Sequence, residues 1–263
     1  MKWIRTRVLA GERLGGAWLS LASPVAAEIA ARSGFDWILF DLEHGLGDHN
    51  DLLHQLQAIE AAPAVGIVRV PAIDGAAFKR VLDLGPAGLM IPDVRTAAAA
   101  SEMVRLARIP PLGVRGIAQS SRASGYGADY ERYRSEANAN LLLVAQIESR
   151  EGVANASAIA AIDGIDVLFV GPLDLSTDMG TGQGRPRGAF AAAVASVATA
   201  ASRHGKASGV LVRDIEQARD YAGLGFTFIA MGSDRGLVAS GMRVNAAELA
   251  ALREPASIGR AVR

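Results

Sequence analysis

Short apolar runs rich in Val, Ile, Leu and Phe alternate with longer, Ala-rich amphipathic runs from one end of the chain to the other, a rhythm that predicts βα units around a parallel sheet. The apolar runs place strands at Gly16–Leu21, Trp37–Glu43, Gly66–Pro71, Gly88–Pro92, Leu141–Glu148, Val167–Gly171, Ala207–Val212 and Phe226–Gly232. Helical periodicity falls between them, at Pro24–Ser33, Asn50–Ala61, Asp74–Leu84, Thr96–Arg108, Gly152–Ile162, Gly188–Arg203, Asp214–Gly223 and Arg235–Leu252. Several of these open on Asp, Asn or Thr and close on Gly, the residues that satisfy helix ends. Eight strands and eight helices predict an α/β fold, a single-domain (β/α)8 TIM barrel over residues 1–263, with an open Rossmann-like sheet as the alternative. Two stretches break the rhythm. Ile109–Tyr133 is long and rich in Gly, Ser, Arg and Tyr, as active-site or subunit-contact loops are, and Ser176–Gly188 has the glycine content of a lid or of a plain solvated loop.

Composition narrows the partners. With 50% hydrophobic and 21% charged residues over 263 positions, the chain can bury a large core, and disorder is excluded as its main state. Lys+Arg and Asp+Glu are 27 each, so no global field exists to hold nucleic acid or an anionic membrane, and the expected partner is a small molecule. The absence of cysteine removes disulfides, thiolate metal sites and cysteine nucleophiles together, and fits a reducing cytoplasm. Arg5, Arg7, Glu12 and Arg13 interrupt the N-terminus before any signal-peptide core, and no apolar stretch is long enough to span a bilayer. An unexported chain with no membrane partner is expected.

In such a barrel the chemistry sits at the C-terminal ends of the strands. The second strand runs WILFDLEHG and ends on Asp41, Glu43 and His44. His44 is a candidate general base whose tautomer Asp41 would fix, or else a member of a hydrogen-bonded rim cluster. His49, His54 and His204 fall in predicted helices or their starts and are expected to be solvated. In GIVRVP, Arg69 interrupts an apolar strand and so needs an anion, either a neighbouring carboxylate or a substrate carboxylate. In LLLVAQIES, period-two alternation puts Val144, Gln146 and Glu148 on one face. VLFVGPLDLS places Asp174 just beyond the next strand. Adjacent parallel strands are about 4.8 Å apart, so Glu148 and Asp174 could share a hard divalent cation, or could pair separately with Arg or backbone amides. The lysines, Lys2, Lys79 and Lys206, end no strand, which disfavours a Schiff-base aldolase. No phosphate-binding glycine motif occurs in the right place for nucleotide binding.

Six segments in order, FDLEHG at Phe40–Gly45, VRVP at Val68–Pro71, LDLGPAGLMIPDV at Leu82–Val94, PLGVRG at Pro111–Gly116, QIES at Gln146–Ser149 and GPLDLS at Gly171–Ser176, resemble the HpcH/HpaI aldolase/citrate lyase family. Within it the likeness is to class II, metal-dependent pyruvate aldolases such as 4-hydroxy-2-oxoheptanedioate aldolase and 2-keto-3-deoxy-sugar-acid aldolases. The resemblance implies an aldehyde-lyase that reversibly cleaves a 4-hydroxy-2-oxo acid to pyruvate, or a related 2-oxo acid, and an aldehyde through a metal-bound enolate. It implies His44 as base, supported by Asp41 and by Asp83 of a neighbouring subunit, and Arg69 holding substrate and stabilising the enolate. Glu148 and Asp174 would bind the metal, Mg2+ or Mn2+ ahead of Co2+ or Zn2+, with Gln146 beside it. Gly171, Pro172 and Leu211 would line the pyruvate pocket, and Asp174 would also face substrate. A homohexamer is implied, with the C-terminal helix packed on a neighbouring subunit. The departure is the Ser176–Gly188 loop, whose Arg185 and Arg187 leave the aldehyde open. Three rivals follow. A citrate lyase β-like thioester lyase would need a basic groove, a non-catalytic 2-oxo-acid-binding barrel would show no turnover, and a phosphoenolpyruvate mutase-like enzyme would act on phosphorus substrates.

Overall fold

The structure, a computed structural model, describes residues 2–181 and 187–252. Eight strands, β1 (Leu14–Leu19), β2 (Trp37–Asp41), β3 (Val65–Arg69), β4 (Gly88–Ile91), β5 (Leu142–Ile147), β6 (Val167–Val170), β7 (Ala207–Val212) and β8 (Phe228–Ser233), close into one parallel barrel in sequence order. The outer helices are α1 (Arg5–Leu9), α2 (Pro24–Arg32), α3 (His49–Ala58), α4 (Gly75–Asp83), α5 (Ala97–Ala107), α6 (Tyr130–Asn140), α7 (Arg150–Ala154), α8 (Ala156–Ala160), α9 (Pro172–Asp178), α10 (Gly188–Arg203), α11 (Ile215–Gly223) and α12 (Asp234–Ala251). Among the described residues no helix is long and apolar enough to cross a membrane.

The strands β2 to β6 are buried on both faces, which is why their sequences read as nearly unbroken apolar runs. Alternation still divides the residues. Leu143, Ala145 and Ile147 face the helices in the outer core, whereas Leu142 and Val144 join Trp37, Leu39, Ile67, Met90, Phe169 and Phe228 inside the barrel. The interior is filled by aromatic rings: Trp37 stacks on Phe228 with centroids 4.0 Å apart and meets Phe169 edge-on at 6.5 Å. Glycines make the room, because a Cβ at Gly16 would overlap the Trp37 ring and one at Gly209 the Phe169 ring. With the floor thus plugged, the last inward position of each strand opens on the mouth.

Capping follows the predicted chemistry, with Ser23, Asp48, Asp74, Thr96, Ser149, Asp214 and Ser233 each accepting a first-turn amide hydrogen bond. The boundaries differ from the sequence reading in instructive places. β1 begins at Leu14, where the amide hydrogen bonds to Thr227 at the β8 seam. The segment expected to be a loop at 109–133 holds a 3-10 turn at Arg122–Gly127 and leads into α6, whose mainly polar sequence hides its helical period. The helix expected at Gly152–Ile162 is two, α7 and α8, which meet at Asn155. The stretch expected to be a loop from Ser176 begins inside a helix, because Pro172 fits the first turn of α9 and the helix runs to Asp178. α12 is nearly bare: Asp234 is its one buried residue, while Leu237, Met242 and Leu249 are 68, 68 and 62% exposed.

Candidate active site

Asp41, Arg69 and Gln146 occupy last inward positions of β2, β3 and β5, and all three are buried. Parallel pairing sets Asp41 directly beside Arg69. A guanidinium in such surroundings needs anions, and it finds two. Asp41 accepts from Arg69 Nε at 2.9 Å and Nη2 at 2.6 Å, and Glu43 Oε2 lies 2.9 Å from Nη1. Trp18, at the inward end of β1 where the β1–β8 register shifts, lies against the guanidinium face with its ring centroid 4.7 Å from Cζ. Its indole N–H donates to Asp41 Oδ2 at 3.2 Å. Burial alone would favour the neutral Asp41 carboxyl, but the bonds from Arg69 and Trp18 hold it below the usual carboxylate range. Arg69 thus has the neighbouring carboxylates that one of the two sequence readings asked for.

The β2–α3 loop carries His44, and here the expected contact changes. Asp41 Oδ1 accepts the backbone amides of Glu43 and His44, at 3.1 and 3.2 Å, rather than an imidazole N–H. The support runs through the main chain because β2 ends at Asp41 and the chain turns over its own carboxylate. Gly45 permits the turn, since a Cβ there would overlap the Asp41 carbonyl oxygen. The imidazole is 70% exposed, with Nε2 3.7 Å from Glu43 Oε1. Arg235 Nη2 donates to the His44 carbonyl at 3.2 Å and ties the loop to the start of α12.

Across the mouth, Glu148 follows β5. Its Oε1 accepts the Asp93 amide at 2.8 Å and its Oε2 accepts from Gln146 Nε2. Asp93 presents that amide from a left-handed backbone, φ +48°. Gly171 borders the same carboxylate: a Cβ there would strike Glu148 Oε2. Burial first, and the charge of Asp174 second, push the Glu148 carboxyl up to about 7. Asp174 sits exposed in the first turn of α9, and Gln146 Oε1 is buried with no hydrogen-bond partner. Gln146 and Glu148 are thus in direct contact, and Asp174 lies near enough for its charge to act on Glu148. Gly171 is buried beside them, while Pro172 and Leu211 line an apolar cavity of 410 Å3 together with Leu173, Phe190 and Tyr221.

Asp83 stands apart. It ends α4, which runs back toward the N-terminal end of the barrel, so it lies away from the mouth of its own chain. It is partly buried, burial pushes its carboxyl up, Oδ1 has no hydrogen-bond partner, and the nearest cation is Arg115 at 3.9 Å. His54 and His204 are exposed and hydrogen-bonded to Gln57 and Ser157, as expected of solvated histidines. His49 differs: it is half-buried at the start of α3, and burial lowers its pKa. Arg187 precedes α10, and Arg185 lies outside the described residues. Sequence reasoning missed Trp18, whose one signal is its inward parity with Leu14 and Gly16, and gave Glu43 no role although it named the residue.

A model of the HpcH/HpaI aldolase/citrate lyase family matches residues 14–241. A hydroxypyruvate/pyruvate aldolase of Pseudomonas aeruginosa is 41% identical over 244 residues, covering 91% of this chain and 89% of that protein. A 5-keto-4-deoxy-D-glucarate aldolase of Klebsiella pneumoniae is 38% identical over 225 residues, covering 86% of this chain and 88% of that protein. The crystal structure of an HpcH/HpaI aldolase/citrate lyase family protein from Burkholderia cenocepacia superposes with a TM-score of 0.88 at 37% identity, over 94% of this chain and 98% of that one. The (β/α)8 barrel with its acidic, arginine-bearing mouth belongs to the HpcH/HpaI aldolase/citrate lyase family.

Proposed function

We propose that the chain is a class II aldolase that reversibly cleaves a 4-hydroxy-2-oxo acid to pyruvate, or a related 2-oxo acid, and an aldehyde. The observation that carries the reading is the mouth itself, where a buried, clamped arginine and an exposed imidazole share a rim with two acidic side chains. Relatives that bear the names hydroxypyruvate/pyruvate aldolase and 5-keto-4-deoxy-D-glucarate aldolase support it.

The family implies a divalent cation, and the residues present fit one. Glu148 and Asp174 supply hard oxygen donors that repel each other when empty of a counter-charge, and the partnerless Gln146 Oε1 lies beside Glu148. Among the described residues no three His, Asp or Glu side chains form a cage, so two carboxylates would leave most coordination positions to water and substrate oxygen. Mg2+ or Mn2+ suits that donor set. A divalent ion bound there supplies Lewis acidity to a substrate carboxylate and ketone.

The chain's own groups account for the rest. Arg69 presents positive charge where the C2 oxygen becomes an enolate oxygen, and Asp41 and Trp18 fix the guanidinium before substrate arrives. An imidazole nitrogen of His44 takes the proton of the 4-hydroxyl. The C3–C4 bond then breaks, its electrons pass into the C2–C3 enolate, the aldehyde leaves, and protonation at C3 gives the 2-oxo acid. Leu211 and Pro172 line an apolar cavity that borders none of these polar groups directly. The bare apolar face of α12 supports packing on another copy, and the place of Asp83 away from its own mouth supports its service to a neighbour's site, as in a hexamer.

The test is a panel of 2-oxo acid donors against aldehydes of different length and charge, with metal-stripped protein as control. Metal-dependent carbon–carbon bond formation with pyruvate is expected. No turnover with any pair, and no exchange of pyruvate methyl protons in D2O, overturns the reading.

A further inference from the structure

Asp41 occupies only one edge of the Arg69 fork, since both of its bonds end on Nε and Nη2. Nη1 has Glu43 Oε2 as an ion-pair neighbour at 2.9 Å, although that buried oxygen has no hydrogen-bond partner. The other oxygen of the same carboxylate, Oε1, is 3.7 Å from His44 Nε2. Glu43 thus stands between a cation that is 8% exposed and an imidazole that is 70% exposed, and is itself 20% exposed. Its backbone amide donates to Asp41 Oδ1, so the side chain starts from a fixed root.

This placement works against electrostatics. Burial pushes the Glu43 carboxyl up, Arg69 and His44 pull it down, and Asp41 and Asp174 push it up again; Glu148 also lies close enough to feel its charge. Asp41 alone already gives Arg69 a bidentate counter-ion. A second carboxylate among three acidic neighbours is unfavourable as a mere counter-charge, so its position calls for another role.

We propose, on the enolate-forming reading above, that Glu43 is a positioning residue that holds Arg69 Nη1 with one carboxylate oxygen and faces His44 Nε2 with the other. The arginine that meets the developing oxyanion and the imidazole that carries the proton then keep a fixed separation across the mouth. Such a residue contributes to the transition state more than to substrate binding, because both groups that it orients act when charge and proton move.

The experiment measures exchange of pyruvate methyl protons in D2O by NMR, at saturating Mn2+ or Mg2+, over a range of pyruvate concentrations and pH. Wild type is compared with Glu43→Ala, Glu43→Gln and Glu43→Asp, and each variant is melted. Glu43→Ala is expected to lower turnover by about 10–100-fold, with KM within about threefold of wild type and an unchanged melting temperature. Glu43→Gln, which keeps the side-chain length but loses the charge that both Nη1 and Nε2 face, is expected to retain part of the rate and to alter the pH profile. Glu43→Asp, one methylene short of both partners, is expected to resemble Glu43→Ala. Turnover within twofold of wild type in Glu43→Ala overturns the proposal. So does a rate loss that tracks a lower melting temperature with the pH profile unmoved, or a change confined to KM. Absence of exchange by the wild type overturns the enolate reading and this role with it, whereas an exchanging wild type and an equally exchanging Glu43→Ala remove this role alone.

Discussion

Arg69 and Asp41 are register partners on adjacent strands, and the guanidinium closes on the carboxylate with Nε at 2.9 Å and Nη2 at 2.6 Å. The side chains are 8 and 2% exposed, and Asp41 without Arg69 is a buried charge with no cation beside it. Arg69→Ala should therefore lower stability by about 3–5 kcal/mol as well as reducing pyruvate deuterium exchange by about 10²–10³. Chemical denaturation and NMR on the same preparation check both. Wild-type stability in the variant would mean that Asp41 finds another partner.

Removing either acidic side chain across the mouth should abolish metal-dependent turnover, and removing the exposed Asp174 should leave the metal-free fold at least as stable. Glu148 and Asp174 repel each other without a cation, so Asp174→Asn, which neutralises an exposed group, should not lower the melting temperature of chelated protein. Full activity after exhaustive chelation, or in Asp174→Asn, would remove the pair from its role.

The raised Glu148 carboxyl sets a pH window. Its folded value of about 7 exceeds its unfolded value, so its contribution to metal-free stability is fully present below the unfolded value and is lost as pH rises through about 7. Asp41 has the opposite sign: its lowered folded value contributes stability above the ordinary Asp value that is lost as pH falls through the folded one. Metal must displace the Glu148 proton, so affinity for Mn2+ should weaken as pH falls below about 7, with proton release on binding. Calorimetry in buffers of different ionisation enthalpy measures that release, and pH-independent affinity without it would contradict the assignment.

If Asp83 completes a neighbour's mouth, two inactive proteins can repair each other. Asp83→Ala and Glu148→Ala should each be inactive alone and should regain part of the activity when unfolded, mixed and refolded together, because some mouths then receive both intact residues. Leu237→Glu and Met242→Glu on the exposed face of α12 should shift the light-scattering mass downward. A fully active monomer would end both expectations.

His44→Ala should slow pyruvate exchange by about 10²–10⁴ if the imidazole moves the proton. The ring is exposed and its loop is held by Asp41 through the main chain, so the fold should be unaffected and the melting temperature should stay close to wild type. Exchange at the wild-type rate would leave the aldolase reading standing and take His44 out of it.

The alternation of apolar positions determined the eight strands, their parallel order and the inward parity of Gln146 and Glu148, because these depend on local period and on a topology with few alternatives. The same parity made Asp41 and Arg69 visible as polar residues at the ends of apolar strands. Which partner each takes was decided only in three dimensions. Asp41 is three residues from His44 in sequence, yet its carboxylate turns to Arg69, 28 residues on, because strand register places a buried cation beside it, while the nearby imidazole is open to water. Trp18 reads as one more core aromatic until the barrel closes and brings its ring under the guanidinium. α6 escaped notice because its sequence is mainly polar, and nothing local in the α12 sequence tells that Leu237, Met242 and Leu249 stay uncovered. Periodicity reports which residues share a side; what lies across from that side is set by closure, register and packing.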